Sequence, residues 1–266
     1  MFKEALVYNY ITLNERGMVM YKLHEKNAKI RMLFSSLKKT PFHPQWLVFK
    51  NEEKGLTEIA QHSQGYVLDL GAGTQKIQHF LSPSCQYISL DYYETATKWY
   101  GTTPTVFGDA QVLPFKSKSA DTILLLDVLE HLPAPESCLK EIFRVLQPGG
   151  KLIIQVPFLY PLHDTPYDFQ RWTCFGLQKL AKKHQYQIEV QKSINHPLES
   201  AAFLSNLALS KTVLRWIRDK NLLSILIILL PFAIFFNNLL AVLLTYASKD
   251  DDFMPTAYRM IWSKKR

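Results

Sequence analysis

The residues Val67-Leu68-Asp69-Leu70-Gly71-Ala72-Gly73-Thr74 are the strongest indication of the fold in this sequence. An apolar strand runs into an acidic residue and then into a glycine turn that opens a helix. Glycine lets the backbone turn sharply, and it lets a ligand approach where a Cβ atom would collide. The pattern predicts a ligand-binding turn at the carboxyl end of a first strand.

Around this stretch, short apolar runs alternate with helix-like segments, which is typical of a parallel sheet wrapped by helices. Ile123 to Leu126 is apolar at every position, as in a strand buried on both faces. Helices are predicted over Asn51–His62, Pro135–Leu146 and Cys174–His184, and the second stops at Gln147-Pro148-Gly149-Gly150. The predicted strands are Tyr66–Leu70, Gln86–Leu90, Thr105–Phe107, Thr122–Leu126, Lys151–Val156, Gln187–Gln191 and Tyr258–Trp262.

A second acidic residue narrows the choice of ligand. Asp91 ends the second strand roughly 20 residues further on, where a carboxylate binds a ribose diol in Rossmann-like sites. A dinucleotide fingerprint would have a third glycine where this chain has Ile77. Asp69 also suits a positively charged amino group better than a pyrophosphate. These features favour S-adenosylmethionine over NAD.

Ordered motifs from Val67 to Pro157 resemble those of class I S-adenosylmethionine-dependent methyltransferases. The similarity is to the small-molecule group that includes the quinone-biosynthesis methyltransferases (methyltransferase type 11 family). The matching segments are Asp69–Gly73, Asp91-Tyr92, Gly108–Ala110, Leu113–Phe115, Ala120-Asp121, Asp127–Leu132 and Arg144–Gly150. The resemblance implies an α/β, Rossmann-like methyltransferase fold with a mostly parallel seven-stranded sheet and helices on both faces. One departure is Gln75, where the family often has a third glycine.

The resemblance also implies the cofactor, S-adenosyl-L-methionine, and the residues that hold it. Asp91 and Tyr92 stand at the ribose position, and Asp109 would accept a hydrogen bond from the adenine amino group. The expected cofactor-binding residues are Asp69, Gly71, Gly73, Asp91, Tyr92, Asp109, Ala110 and Asp127. An α/β domain that keeps this site without catalysis is the alternative.

Candidate catalytic residues are His131, after the fourth strand, and His163. Methyl transfer is an in-line displacement that needs alignment and one base, and an imidazole has a suitable pKa. A structural histidine at a helix start is the other interpretation of His131. Asp127, Glu130 and His131 are also similar to a set that holds magnesium or zinc in some related O-methyltransferases. Metal-free relatives share the Glu-His pair, so no metal ligand is assigned.

The segment after the fifth strand, residues 157–173, is dense in aromatic and titratable side chains. It lies at the carboxyl edge of the sheet, where ligands bind, and this placement predicts a lid over the methyl acceptor. Its candidate substrate-binding residues are Tyr167, Asp168 and Arg171. A salt bridge between Asp168 and Arg171 that only shapes the loop is the alternative.

The charge pattern favours a membrane surface as a partner over nucleic acid. The net charge is +8, with basic clusters at Lys22–Lys39 and Lys211–Lys220. The second cluster directly precedes the most apolar stretch, Leu222–Ala247. This stretch is long enough for a span of roughly 20 residues.

A simple crossing conflicts with the predicted topology, because the last strand must return to the sheet. An interfacial helix pair, a re-entrant hairpin broken at Pro231 or at Asn237-Asn238, and a buried lid or dimer face all remain open. The sequence leaves the oligomeric state undetermined.

The predicted organisation has four parts: an N-terminal helical extension (1–50), a cofactor-binding core (51–193), a basic and apolar membrane-associating insertion (194–253), and a final strand with a tail (254–266). Met1–Tyr10 lacks the pattern of a secretory signal, and three widely spaced cysteines fit a reducing compartment. We therefore expect a cytoplasmic protein that is peripherally or monotopically attached to a membrane.

The expected activity is methyl transfer to a lipid-soluble or lipid-linked acceptor. A soluble enzyme acting on a small polar or sugar-like metabolite, and a non-catalytic membrane scaffold, are the alternatives. No Asn/Asp-Pro-Pro-Tyr follows the fourth strand, where the chain reads Asp127-Val128-Leu129-Glu130, and this argues against methylation of DNA bases.

Overall fold

The computed structural model describes residues 37–249 and 251–265. Their seven strands form one sheet in the order β3-β2-β1-β4-β5-β7-β6. β1 to β5 pair in parallel, and β7 runs antiparallel to both β5 and β6. The predicted mostly parallel, Rossmann-like sheet is confirmed. The strands are β1 (Tyr66–Leu70), β2 (Gln86–Asp91), β3 (Val106–Phe107), β4 (Ala120–Leu126), β5 (Leu146–Pro157), β6 (Tyr186–Ile194) and β7 (Ala257–Lys264).

Helices cover both faces of the sheet because successive side chains of each strand point to opposite sides. Leu139 and Ile142 belong to a core on one face, and Ile59 packs with Leu124 and Ile153 on the other. The helices are α1 (Trp46–Phe49), α2 (Glu52–Gln61), α3 (Pro135–Val145), α4 (Cys174–Lys183), α5 (Pro197–Arg218) and α6 (Leu230–Tyr246).

The glycine turn leads into a shorter helix than the sequence pattern suggests. Lys76–Phe80 forms a single stretch of 3-10 helix, preceded by Gln75 in a left-handed conformation with φ of 56°. Pro83 follows closely, and a proline both lacks an N–H and disfavours helix in the residue before it. The segment therefore ends before a full α-helix can form.

The predicted helix stop at Gln147–Gly150 is already part of a strand. α3 ends at Val145, Leu146 is extended, and β5 begins there, so that Leu146 pairs with Ala120. The pairing is irregular between Ala120 and Thr122, and Gly149 has a φ of 81°. Proline and glycine here shape an irregular strand start instead of a separate loop.

The apolar stretch lies between β6 and β7. It follows α5 and consists of a 3-10 helix (Leu222–Ile228) and α6, which meet at an angle of 54°. The break falls just before Pro231, as one of the open alternatives expected, whereas Asn237 and Asn238 lie within α6. No single helix of residues 37–249 and 251–265 is long and apolar enough to cross a membrane, although the bent pair together reaches that length and composition.

The predicted N-terminal extension (1–50) and the basic cluster Lys22–Lys39 lie largely outside the described residues. The part that is described packs against the helices between β6 and β7. Asn195 donates to the Leu47 carbonyl at 2.9 Å, and Asn238 donates to the Pro41 carbonyl at 2.7 Å. Residues 37–50 thus join the later helices to the core.

Candidate active site at the carboxyl edge of the sheet

A cavity of about 1290 Å³ opens at the carboxyl ends of β1, β2, β4 and β5. In an open α/β sheet this is the edge where ligands bind. The predicted site residues that line the cavity are Gly71, Asp91, Tyr92, Asp109, Ala110, Asp127, His131, His163 and Tyr167. Asp69, Gly73, Asp168 and Arg171 do not line it.

The loop after β1 is held close to β4 and to the end of β2. Gly71 has a φ of 70°, and a Cβ atom there would lie 2.5 Å from Val128 Cγ2. Asp91 accepts hydrogen bonds from the Gly73 N–H at 2.8 Å and from the Tyr92 N–H at 2.7 Å, one on each carboxylate oxygen. Each oxygen keeps a second lone pair, so Asp91 can still bind a diol. Burial raises the pKa of Asp91, and the two N–H groups oppose the shift.

Asp69 is turned away from the cavity, contrary to what a direct contact with the cofactor would need. It is buried, and its carboxylate accepts a hydrogen bond from the Tyr87 hydroxyl at 2.6 Å. Burial raises the pKa of Asp69 to about 6, although the Tyr87 hydrogen bond works against the shift. Asp69 therefore fastens β1 to β2 behind the glycine turn.

Asp127 stands at the end of β4 with an unusual backbone conformation, a φ of 56°. Its carboxylate accepts a hydrogen bond from Gln155 at 2.8 Å, and Gln155 in turn accepts from Arg259 of β7 at 2.7 Å. The residue is exposed to solvent through the open cavity, although protein surrounds it on the other sides. Desolvation by this protein raises the pKa of Asp127 to about 6, and the nearby negative charge of Glu130 adds to the shift.

Asp109 and Ala110 follow β3 and form one wall of the cavity. The Asp109 carboxylate accepts a hydrogen bond from the Gln111 N–H at 2.7 Å, and its backbone makes an isolated bridge with Val112. Ala110 is buried. Asp109, Ala110 and Asp91 all line the cavity.

Three titratable side chains meet where the end of β4 touches the lid. The Glu130 carboxylate is fully buried, and neither of its oxygens has a hydrogen-bond partner among the described residues. Its Oε1 lies 3.6 Å from His131 Nε2 and 3.7 Å from His163 Nε2. The two imidazole rings meet edge to face with centroids 4.9 Å apart.

The lid itself is held by an internal ion pair. The Arg171 guanidinium binds the Asp168 carboxylate in a fork, with one contact of 2.7 Å, and also donates to the Tyr160 carbonyl at 3.3 Å. Burial alone would raise the pKa of Asp168, but Arg171 and the His163 N–H outweigh it and hold the pKa at about 2. The arrangement is the loop-shaping salt bridge that the sequence left open, and it keeps both side chains out of the cavity.

His163 is the lid residue that reaches the end of β4. Burial lowers its pKa, but the negative charges of Glu130 and Asp168 outweigh this effect, so the net shift is upward. The lid backbone is tied down at the same place, because the Phe169 N–H donates to the Glu130 carbonyl at 3.0 Å. The sequence predicted His131 and His163 separately, and the structure brings them together.

Other residues of the cavity escaped the sequence analysis. Tyr100 lies in a π-helical turn (Thr95–Tyr100), an irregularity that is frequent at functional sites. Tyr160 accepts a hydrogen bond from Gln45 at 2.8 Å. Arg259 reaches the cavity from β7, far away along the chain. No local sequence pattern indicates that Arg259 reaches the cavity. The cluster of aromatic residues around Tyr100, in contrast, could have indicated a binding site.

Comparison with known proteins identifies the central segment. The family described as "Methyltransferase domain" matches residues 68–154. A malonyl-[acyl-carrier protein] O-methyltransferase of Marinomonas sp. is 27% identical over 144 residues, covering 50% of this chain and 52% of the relative. A ubiquinone/menaquinone biosynthesis C-methyltransferase, UbiE, of Geobacter sulfurreducens is 23% identical, covering 57% of this chain and 67% of the relative. The chain thus spans between about half and two thirds of the length of these two relatives.

Among solved structures, the [4+2]-cyclase SpnF is similar with a TM-score of 0.50 and 15% identity, over 80% of this chain and 79% of the cyclase. This likeness concerns the fold alone, because one fold serves many reactions. The ordered motifs and the family match are more specific evidence for a methyltransferase domain than the similarity of the fold. Residues 68–154 thus match the methyltransferase-domain family, and a quinone-biosynthesis methyltransferase is among the relatives that the chain resembles.

Proposed function

We propose that this chain is a membrane-associated methyltransferase that acts on a lipid-soluble or lipid-linked acceptor, on the cytoplasmic side of the membrane. One observation carries the proposal. The cavity and the apolar helices share the carboxyl edge of the sheet, because the chain leaves the sheet at Ile194 and returns at Ala257, which pair with each other. Pro157, at the end of β5, pairs with the same Ala257.

In this proposal the cofactor lies along the loop ends that line the cavity. Asp91 binds the ribose diol, beside Tyr92, and Asp109 with Ala110 receives the adenine ring. Asp127 faces the positively charged methionine end, and Gly71 leaves room for it. Asp69 and Gly73 support this site from behind through Tyr87 and Asp91. Asp168 and Arg171 set the shape of the lid around Tyr167, which faces the acceptor.

The cofactor supplies a methyl group on a sulfonium centre. The acceptor atom forms a bond to the methyl carbon while the carbon–sulfur bond breaks, and the electron pair of that bond stays on sulfur. The protein must align the acceptor with the methyl group before the transfer, and it must take up the proton that the acceptor loses. His131 and His163 are the proposed proton acceptors, because both expose Nε2 beside Glu130 at the junction of the lid and β4.

α6 is apolar on nearly every face, and most of its large apolar side chains are exposed. Its buried residues are Ile234, Asn238 and Ala241, whereas Phe236 and Leu240 on the other faces are 64% and 54% exposed. Leu222, in the preceding 3-10 helix, is 92% exposed. A buried asparagine on the inner face and large apolar side chains on the outer face are typical of helices that face lipid. An apolar surface of this extent marks an interaction site.

The surroundings of the helix pair fit an anionic membrane surface. The exposed side chains of Lys211, Arg215, Arg218 and Lys220 lie at the end of α5, directly before the apolar stretch. Basic residues at such a boundary attract anionic lipid headgroups. α5 also adjoins the cavity, since Phe203 packs on Tyr160 of the lid with ring centroids 5.4 Å apart. An acceptor dissolved in the membrane would therefore meet the lid directly.

We expect Asp91→Ala to weaken S-adenosylmethionine binding. Losing a hydrogen-bonded buried carboxylate typically costs ~1.5–3 kcal/mol, or roughly tenfold or more in affinity. Calorimetry with the full chain measures this, and Asp219→Ala, which removes an exposed aspartate on the far end of α5, is the matched control. Equal binding by wild type and Asp91→Ala would contradict the proposal that Asp91 binds the ribose.

The affinity for S-adenosylmethionine should fall as the pH drops below about 6. Because desolvation raises the pKa of Asp127 to about 6, the carboxylate is ionised above that pH and protonated below it. The positively charged end of the ligand binds the ionised form, so affinity decreases by up to about tenfold per pH unit well below the pKa. Calorimetry between pH 5 and 8 would measure the profile. Asp127→Asn should flatten it, and an unchanged profile in that variant would contradict the role of Asp127.

Methyl transfer should be visible with labelled S-adenosylmethionine and a membrane lipid extract, followed by identification of the labelled product. His131→Ala is expected to lower the rate by ~10²-fold or more, since a general base usually contributes that much. The Kd of the cofactor should change far less. His62→Ala, which removes an exposed histidine outside the cavity, serves as the control. Cofactor binding with no labelled product from lipid or from polar metabolites would favour the non-catalytic scaffold.

The outward face of α6 should hold the protein on vesicles that contain anionic lipid. We expect Leu240→Lys with Leu243→Lys to shift the protein to the soluble fraction in flotation, because each change replaces an apolar side chain with a charge at the membrane. Val112→Lys, at an exposed apolar position near the sheet, is the matched control. Replacing Leu222–Ala247 with a short flexible linker should release the protein as well.

Sealed vesicles would test whether the chain stays on one face. The three native cysteines would first be replaced by serine. Single cysteines would then be placed, in separate variants, at the exposed Ser117 and Ser248, which lie before and after the apolar stretch in the chain. Both positions should react from the same side of the membrane. Labelling from opposite sides would contradict attachment without crossing.

A further inference from the structure

We propose that Glu130, His131 and His163 bind a divalent transition metal, with zinc the best fit to this donor set. One candidate ligand atom from each residue lies within 4.8 Å of the other two. The inference rests on the proposed methyl transfer and changes one part of it: the two histidines would hold a metal where the acceptor meets the lid, in place of accepting the proton themselves. It differs from the set suggested by the sequence, Asp127 with Glu130 and His131, because the lid histidine takes the place of Asp127.

The buried carboxylate is the first argument. Glu130 is fully buried, and neither of its oxygens has a hydrogen-bond partner among the described residues, although an uncompensated buried charge is very costly. His131 Nε2 and His163 Nε2 lie 3.6 and 3.7 Å from its Oε1, which is within ion-pair distance but too far for a hydrogen bond. A cation between these atoms would compensate the charge.

The spacing of the three atoms is the second argument. A tetrahedral zinc site has metal–nitrogen and metal–oxygen distances of about 2.0–2.1 Å, which places ligand atoms about 3.3 Å apart. The separations of 3.6 and 3.7 Å from Glu130 Oε1 are only slightly larger than this value. Two imidazoles and one carboxylate form a ligand set of catalytic zinc sites, which keep one position open.

The orientation of the rings is the third argument. His131 Nδ1 lies 2.9 Å from the Tyr167 carbonyl oxygen. His163 Nδ1 lies 3.2 Å from an Asp168 oxygen and 3.3 Å from the Pro161 carbonyl oxygen, both closer than the Arg171 nitrogen at 3.5 Å. These acceptors place the proton on Nδ1 of each ring and leave Nε2 free to bind. Histidines that bind metals are held in this way by carboxylates and carbonyls.

Asp127 is not a member of this cluster, which the described residues form from Glu130, His131 and His163 alone. Its carboxylate is bound to Gln155, which Arg259 holds in turn. Asp127 remains beside the site as a negative charge facing the cofactor end of the cavity.

The open position of the metal would face the cavity, which Glu130, His131 and His163 all line. It would take an oxygen of the acceptor, such as a phenolic hydroxyl or an enolisable carbonyl. The metal lowers the pKa of a bound hydroxyl, so the proton leaves to solvent and the oxygen becomes a better nucleophile or activates the ring carbon beside it. His131 would then act through coordination and not as the proton acceptor.

Zinc binding to the full chain, without cofactor or acceptor, tests the inference. Titration against a chromogenic chelator should give one zinc per chain. Glu130→Gln and His163→Gln should each lower the affinity by more than the roughly 10–100-fold that is typical for loss of a supporting residue. His62→Gln is the matched control and should leave the affinity unchanged. A zinc affinity that is insensitive to Glu130→Gln and His163→Gln would overturn the proposal, and so would the absence of zinc binding. Absence of zinc binding would leave a protonated His163 as the partner of Glu130.

X-ray absorption on the zinc-loaded wild type keeps the test independent of how the variants fold. The expected shell contains two imidazoles and oxygen, and a shell with sulfur or a single imidazole would contradict the site. The two proposals fail separately. Methyl transfer that persists in chelator would contradict the proposed metal site and support the proposed methyltransferase. Zinc binding without methyl transfer to any acceptor would support the metal site and contradict the methyltransferase.

Discussion

The antiparallel pairing of β7 determines how the second half of the chain is arranged around the sheet. It lies between β5 and β6, with Trp262 opposite both Leu152 and Ile188. Everything between Ile194 and Ala257 must therefore leave and re-enter the sheet at one edge. That edge is the one where a parallel sheet opens its ligand site. The strand also contributes Arg259, whose contact with Gln155 reaches Asp127.

Much of the core could be predicted because local patterns determined it. The uninterrupted apolar run at Ile123–Leu126 is a strand that is buried on both sides, and the glycines after β1 form a turn that a Cβ atom at Gly71 would block. The errors also have local causes. Pro83 shortens the helix after the glycine turn, and the Pro148–Gly150 stop lies in an irregular strand start.

The candidate site was less predictable because its geometry depends on contacts between distant segments. His131 and His163 are separate features in the sequence, and only the folded lid brings both to the Glu130 carboxylate. Asp69 resembles a cofactor ligand by its position in a motif, but its side chain faces Tyr87 within the sheet. A motif gives the identity of a residue and its place along a strand, whereas the direction of its side chain depends on its neighbours.

Three asparagines join α5 to α6 by hydrogen bonds, and these bonds affect how the helix pair would behave on moving from water to lipid. Asn206 donates to Asn238 at 2.8 Å and accepts from Asn237 at 2.9 Å, and Asn206 and Asn238 are fully buried. Contacts between apolar helices lose their driving force once lipid replaces water, but hydrogen bonds between helices remain. These hydrogen bonds would hold the two helices in one arrangement in either solvent. The proposed attachment to a membrane would then be the docking of a preformed body, which spares the ordering entropy that a segment folding on the membrane would lose.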